Sequence, residues 1–253
     1  MSLAPPVLRV ATYNIHRALG GDGRLDPPRI AEVILSLDAD LVALQEVETP
    51  HAPAPIILLS RLIEQGYAPV LGPTMRSDAH HYGNVLLTRL PVRQRARLDL
   101  SRPGREPRGL IEIRLGLTDP GRAESDGPVG RSLHCLATHL GLRVAERRVQ
   151  IARIAARLDA IRQGSGDTTP VILLGDFNEW YPSRRLKPLD ARLERVGRRA
   201  TWPALWPLLA LDRIWYGGSL ELESSWVVRT RQTRLASDHL PLMARFRVSG
   251  QRR

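Results

Sequence analysis

A chain of 253 residues, 43% hydrophobic and 25% charged, has ordinary globular composition and the length of one large domain or two small ones. No apolar run approaches the roughly 18 residues of a membrane span. The N-terminus MSLAPPVLRV lacks a signal-peptide core, and the single cysteine, Cys135, excludes an internal disulfide, so the chain reads as cytoplasmic. Its formal net charge is +11, which favours phosphate-bearing partners, whether nucleic acid or anionic lipid headgroups. Of 37 basic residues only Lys187 is a lysine, a bias that genome composition explains as readily as function.

Residues 7–15 are strand-like and end at Asn14. Pro27-Pro28 then opens a helix with Ile30, Val33, Ile34 and Leu37 at helical spacing. Residues 41–47, LVALQEV, form a second apolar strand ending at Glu46, and a Pro-rich loop leads to a helix over 56–65. A short strand at 85–88 follows HHYGN, and 93–100 and 110–115 alternate as half-buried strands do. The Gly/Pro/Asp-rich stretch 119–129 reads as a disordered loop. After a strand at 133–140, residues 144–161 form an amphipathic helix with Ile151, Ile154, Ala155, Leu158 and Ile161 on one face. Strands follow at 171–175 and near 211–216, 220–228 and 240–247. Both halves repeat the order strand, polar turn, helix, strand. No linker divides them, so two packed sheets with helices outside, in one domain, are expected.

Polar residues recur where the apolar runs end. Asn14 closes RVATYN, Glu46 closes LVALQE, His139 closes LHCLATH, and Asp176 and Asn178 follow VILLG. Asp212 lies in LALDRIWY, and Asp238-His239 precede LPLMARF. One Asp or Asn at a strand end is ordinarily a turn former, and Gly-Asp-x-Asn alone is good turn chemistry. A glutamate inside an apolar strand is less expected, because a buried, unpaired carboxylate is costly.

The chain resembles the endonuclease/exonuclease/phosphatase superfamily of metal-dependent phosphodiesterases, whose members include deoxyribonuclease I and neutral sphingomyelinases. The resemblance rests on TYNIH at 12–16, LQEVE at 44–48, GNVLLTR at 83–89, PRG at 107–109, THLGL at 138–142, GDFNEW at 175–180, LDRIW at 211–215 and SDHLPL at 237–242, in the family's order. Among its branches the motifs look most like the small bacterial proteins of the YbhP type. The resemblance implies a four-layer α/β sandwich, with two packed mixed or antiparallel sheets flanked by helices, and a Mg²⁺ cofactor with Mn²⁺ as the alternative. It also implies roles. Glu46, with Asn14 supplying a neutral oxygen and Asp238 a further carboxylate, would hold the metal. Asp176 would orient or deprotonate the attacking water, and Asn178 would donate to a phosphate oxygen. His239 would face the phosphate as a cation or proton donor, held in that form by Asp212. His139 would be a second phosphate-contacting histidine, and Arg108 would clamp a phosphate oxygen unless it is one surface arginine among many. Asn84 would anchor a strand turn.

Two departures bear on substrate. His16 stands where several nucleases carry an acidic residue, which affects how many metals are held. Glu48 stands where deoxyribonuclease-type sequences are basic, and it would repel a polyanion. Tyr82, before the strand at 85, either lines the pocket or packs. The stretch TWPALWPLL, 201–209, carries Trp202 and Trp206, each followed by proline, and is either a loop packed on the core or a pocket wall that contacts substrate. The expected activity is hydrolysis of a phosphodiester, on a small-molecule or phospholipid-type substrate. A nuclease is the alternative, with a phosphomonoesterase or a non-catalytic binder behind it. Nucleic acid and a peripheral membrane contact stay open as partners, and no obligate protein partner is evident.

Overall fold

The ends of strands in two parallel pairs place Asn14, His139, Asp176 and Asn178. The structure, a computed structural model, describes residues 7–50, 57–76, 80–117, 132–180 and 184–249. The stretch 119–129 lies outside the described residues.

The first half contains β1 (Val7–Asn14), α1 (Pro27–Ser36), β2 (Leu41–Pro50), α2 (Ile57–Glu64), β3 (Ala68–Arg76), β4 (His80–Thr88), β5 (Val92–Asp99) and β6 (Gly109–Gly116). The second contains β7 (Ser132–His139), α3 (Val144–Ser165), β8 (Val171–Asp176), α4 (Lys187–Asp190), β9 (Glu194–Arg195), β10 (Asp212–Gly217), β11 (Leu220–Val227), α5 (Arg231–Ala236) and β12 (Leu242–Val248). Two six-stranded mixed sheets form, in the orders β11-β12-β1-β2-β4-β3 and β5-β6-β7-β8-β10-β9. Each sheet has one parallel pair, β1 with β2 and β7 with β8. A parallel pair needs a crossover, and α1 and α3 supply it.

Side chains alternate along each strand, and here both faces are buried. Leu41 and Ala43 of β2 point between the sheets, where they join Ile113, Cys135 and Leu174. Val42 and Leu44 point outward onto Ile30, Ile34 and Leu62 of α1 and α2. On the second sheet, Leu136 and Leu173 point outward onto Ile151 and Ile154 of α3. This is why the central strands read as unbroken apolar runs. Each fully buried large aliphatic side chain contributes roughly 1.5–3 kcal/mol. The result is the expected four-layer sandwich. Helix α1 starts where expected, because the Asp26 side chain accepts from the Arg29 N–H at 3.0 Å and prolines occupy the first turn.

The short α4 and β9 were not foreseen in the arginine-rich stretch that follows β8, and three further elements differ from expectation. Strand β3 was not foreseen, since Pro69, Gly72 and Pro73 break its pattern. It lies at a sheet edge, where a proline removes no ladder bond. The strand expected at 85–88 is the end of the longer β4, so His81 and Tyr82 lie in the strand and not before it. Helix α5 has only six residues, too few to show a period; a Thr230–Thr233 capping box starts it.

Candidate active site

Strand β2 does not stop at Glu46. Its pairing with β4 slips between Leu44 and Val47, and Glu46 takes a φ of 58°. Such a bulge turns a side chain out of the pleat, and the half-buried Glu46 carboxylate enters a cleft of about 620 Å³. Asn14, at the end of β1, donates Nδ2–H to Glu46 Oε1 at 2.9 Å and to Asp176 Oδ2 at 3.2 Å. Its Oδ1 accepts from the His16 N–H at 3.0 Å. The amide thus bridges two carboxylates as a donor, and the neutral oxygen expected to face a metal is turned onto the backbone.

GDFNEW is both a turn and part of the site. Asp176 is the last residue of β8, and its Oδ1 accepts from the Asn178 N–H at 2.9 Å, closing an Asx turn. Asn178 holds a φ of 49°, a left-handed conformation that asparagine tolerates. Gly175 has a φ of 148°, and a Cβ there would lie 1.9 Å from the Thr138 carbonyl oxygen of β7. Only glycine lets the two strand ends approach so closely. The Asn178 Nδ2 donates to the Leu140 carbonyl at 2.9 Å and sits 3.0 Å from His139 Nε2. In this state, then, the amide expected to donate to phosphate serves the β7 end.

Asp176 Oδ2 lies between two histidines, 3.6 Å from His139 Nε2 and 3.7 Å from His239 Nε2. Their environments differ. Burial works against charge on His239, but Asp212, with Oδ2 2.8 Å from Nδ1, outweighs it, with help from Asp176 and Asp238, and raises the ring to about 10. Asp212 is fixed by Thr201 Oγ1, which donates to Oδ2 at 2.6 Å. His139 is pushed down to about 3 by burial and by Arg108, whose NH1 is 3.2 Å from Nδ1. One ring is therefore a cation and the other neutral at ordinary pH. Since its nitrogens face Arg108 and Asn178, His139 aligns those two donors. Arg108 is only 5% exposed and is steadied by Glu106, 3.0 Å away, so it is not a generic surface arginine.

Asn14, Glu46, Arg108, His139, Asp176, Asn178, Asp238 and His239 line the same cleft, while Asp212 stands behind His239. Tyr82 and Trp202 also line it. Trp202 donates Nε1–H to Asp238 Oδ2 at 3.2 Å. Trp206 does not line the cleft; at 80% exposed, it points into solvent from the tip of its loop.

Sequence reasoning singled out His16 and Glu48 but missed the residues around them. His16, Arg17 and Ala18 form one left-handed turn, with φ of 48°, 56° and 63°, and it sets His16 and Arg17 at the cleft mouth. Arg17 lies 4.9 Å over the Tyr82 ring and pairs with Glu48 at 3.3 Å, so the repulsion expected from Glu48 is neutralised locally. Glu179, 2% exposed, is held by Arg147 at 3.2 Å, and Arg147 also donates to the carbonyls of Gly141 and Leu142. This ties the start of α3 to GDFNEW. The signal was Glu146, Arg147 and Gln150 on the buried side of α3, where an apolar stripe would place aliphatics.

The motif order and the fold are matched by known proteins. The model of the Endonuclease/Exonuclease/phosphatase family matches residues 11–239. The chain belongs to this family. Relatives of the endonuclease/exonuclease/phosphatase family include the uncharacterized protein YbhP of Escherichia coli (strain K12), which is 31% identical over 258 residues, covering 95% of this chain and 96% of YbhP. The human Nocturnin catalytic domain, solved with a bound sulfate anion, superposes with a TM-score of 0.73 at 25% identity, over 98% of this chain and 97% of that one. ANGEL2, a 2',3'-cyclic phosphatase solved with adenosine-2',3'-vanadate, shares the fold with a TM-score of 0.74 at 17% identity, over 96% of each chain.

Enzymes of this family act on phosphoesters and typically use a divalent metal, an ion that selects oxygen donors. Two parts of the cleft offer them. Asp176, Asp212 and His239 present ligand atoms within 4.8 Å of one another. There, however, the Asp212–His239 contact already holds a proton, because the ring is kept charged. Glu46, with Asn14 its one side-chain hydrogen-bond partner among the described residues, and Asp238, which accepts from Trp202, are further carboxylates lining the cleft. Both places offer the oxygen donors that fit a divalent cation.

Proposed function

We propose that this chain is a divalent-metal-dependent phosphodiesterase that hydrolyses a small-molecule or phospholipid-type diester by in-line attack of water. The observation that carries the reading is the placement of His239, with Nδ1 2.8 Å from Asp212 and Nε2 3.7 Å from Asp176, in the same cleft as Arg108 and Glu46. Glu46 and Asp238, with Asp176 at the edge, would hold the metal, Mg²⁺ or else Mn²⁺, which when bound neutralises phosphate charge and stabilises the leaving oxygen. Asp176 orients the water and takes its proton as the phosphorus–oxygen bond forms. His239 Nε2–H and Arg108 face the phosphate, stabilise its growing charge, and His239 can return a proton to the departing oxygen. Asn178 and His139 keep these groups in register. The human Nocturnin catalytic domain was solved with a bound sulfate anion, a tetrahedral oxyanion like phosphate.

A second reading, a nuclease, is favoured by Trp180 and Trp202 in the cleft wall, which offer stacking faces to bases. Purified protein with Mg²⁺ is given bis-p-nitrophenyl phosphate, p-nitrophenyl phosphate and supercoiled plasmid. Cleavage of the diester alone is expected. Plasmid nicking abolished by His239→Ala establishes the nuclease, and cleavage of the monoester alone overturns the diesterase.

A further inference from the structure

Six of the large hydrophobic side chains that stay exposed gather at one end of the second sheet. Strands β7 and β8 run parallel, and β10 runs antiparallel to β8, with Asp212 opposite Asp176. The segment after β7, the segment after β8 and the loop before β10 therefore emerge at the same end, around the cleft. Leu142 (69% exposed) and Val144 follow β7, and Trp180 follows β8. Leu205, Trp206 (80%) and Leu208 (75%) crown the loop before β10. Soluble proteins seldom leave such a cluster wet unless it meets a partner.

The crown is held firmly. Trp202 and Leu209 bridge its base, the Ala204 N–H donates to the Asp238 carbonyl at 2.7 Å, and Ala204 is buried. The loop thus presents Leu205, Trp206 and Leu208 outward on a base that is fixed to the cleft wall. Arginines are interleaved with the apolar tips. Arg143 is exposed between Leu142 and Val144, and Arg198, Arg199 and Arg229 are exposed at the loop's foot, where Arg229 donates to the Ala200 carbonyl.

We propose that this end of the molecule docks on an anionic lipid bilayer, with Leu205, Trp206 and Leu208 entering the interface and the arginines meeting the headgroups. Aliphatic tips beside a tryptophan and cations are the composition of an interfacial anchor. A single-stranded nucleic acid would reward stacking faces, and most of these six side chains are aliphatic. Docked this way, the cleft opens onto the headgroup layer. The proposal rests on the phosphodiesterase reading for its purpose, but binding is measured without turnover.

The test is co-sedimentation with phosphatidylcholine vesicles, with and without phosphatidylglycerol, of the full chain and of Leu205→Ser/Leu208→Ser. Thermal melting verifies that the variant folds, and hydrolysis of bis-p-nitrophenyl phosphate by the wild type is measured in parallel. The expected result is salt-sensitive binding that is stronger with phosphatidylglycerol and falls at least about tenfold in the variant. No binding to either vesicle, equal binding by a folded variant, or binding only to a fluorescent single-stranded oligonucleotide overturns the proposal. Vesicle binding by a wild type that leaves the soluble diester intact upholds the docking surface and defeats the catalytic reading instead.

Discussion

Asp176 and Asp212 face each other across the β8–β10 ladder, and His239 touches both, with Nδ1 2.8 Å from Asp212 and Nε2 3.7 Å from Asp176. Two buried carboxylates so placed repel unless a cation stands beside them. The imidazolium is that cation. Its Nδ1–H is committed to Asp212, which leaves Nε2–H aimed at the place where Asp176 and a phosphate would meet. Asp212→Asn should let the ring titrate well below its present value of about 10. A histidine NMR titration checks this, and kcat should fall roughly 10²–10⁴-fold.

The two histidines also set opposite pH slopes on stability. His239, raised to about 10, binds its proton more tightly in the folded state, so its contribution is complete below an unfolded value of about 6.5 and is lost as pH rises toward 10. His139, lowered to about 3, is neutral when folded, so its contribution is present above about 6.5 and is lost as pH falls toward 3. Each slope is at most about 1.4 kcal/mol per pH unit. Urea denaturation in EDTA buffer should therefore show a maximum near neutral pH. His139→Gln should flatten the acid side and His239→Gln the alkaline side.

Gly175→Ala should be severe. The new methyl group would collide with the Thr138 carbonyl at 1.9 Å, on a backbone with a φ of 148° that side chains avoid. A loss of about 2 kcal/mol or more is expected, read from the shift in denaturation midpoint. Activity should fall even in the folded fraction, because the β7 and β8 ends carry His139 and Asp176.

The Arg147–Glu179 pair is almost wholly buried. Arg147→Met would leave Glu179 with Arg185, 3.5 Å away and less buried, and with Arg213, which donates to the Glu179 carbonyl, as its remaining cations. A loss of about 3 kcal/mol is expected, and Arg147→Met/Glu179→Gln should recover part of it. A double-mutant cycle by thermal melting measures the coupling.

Strand ends were the legible part of this chain. A run such as VILLG stays apolar because both its faces are buried, and it stops where the chain leaves the sheet, so Asn14, His139 and Asp176 were visible as interruptions. Glu46 was visible for the same reason, but its bulge was not, because a register slip leaves no residue-type mark in LVALQEVE. Strand β3 was hidden by prolines that only an edge position tolerates. The Arg147–Glu179 link was hidden because charged residues at helical spacing ordinarily mark a solvated face. Trp206 and Trp202 are alike in sequence, each followed by proline, yet only Trp202 reaches Asp238. Which one turns inward depends on the bridge to Leu209, a contact within the loop that composition does not encode.

The most direct test is hydrolysis of bis-p-nitrophenyl phosphate by the wild type, Glu46→Gln and His239→Ala, each with Mg²⁺, Mn²⁺ or EDTA. The phosphodiesterase reading predicts turnover with metal, none with EDTA, and a loss of about a hundredfold or more in both variants. Turnover that persists in EDTA, or that survives Glu46→Gln unchanged, would contradict it.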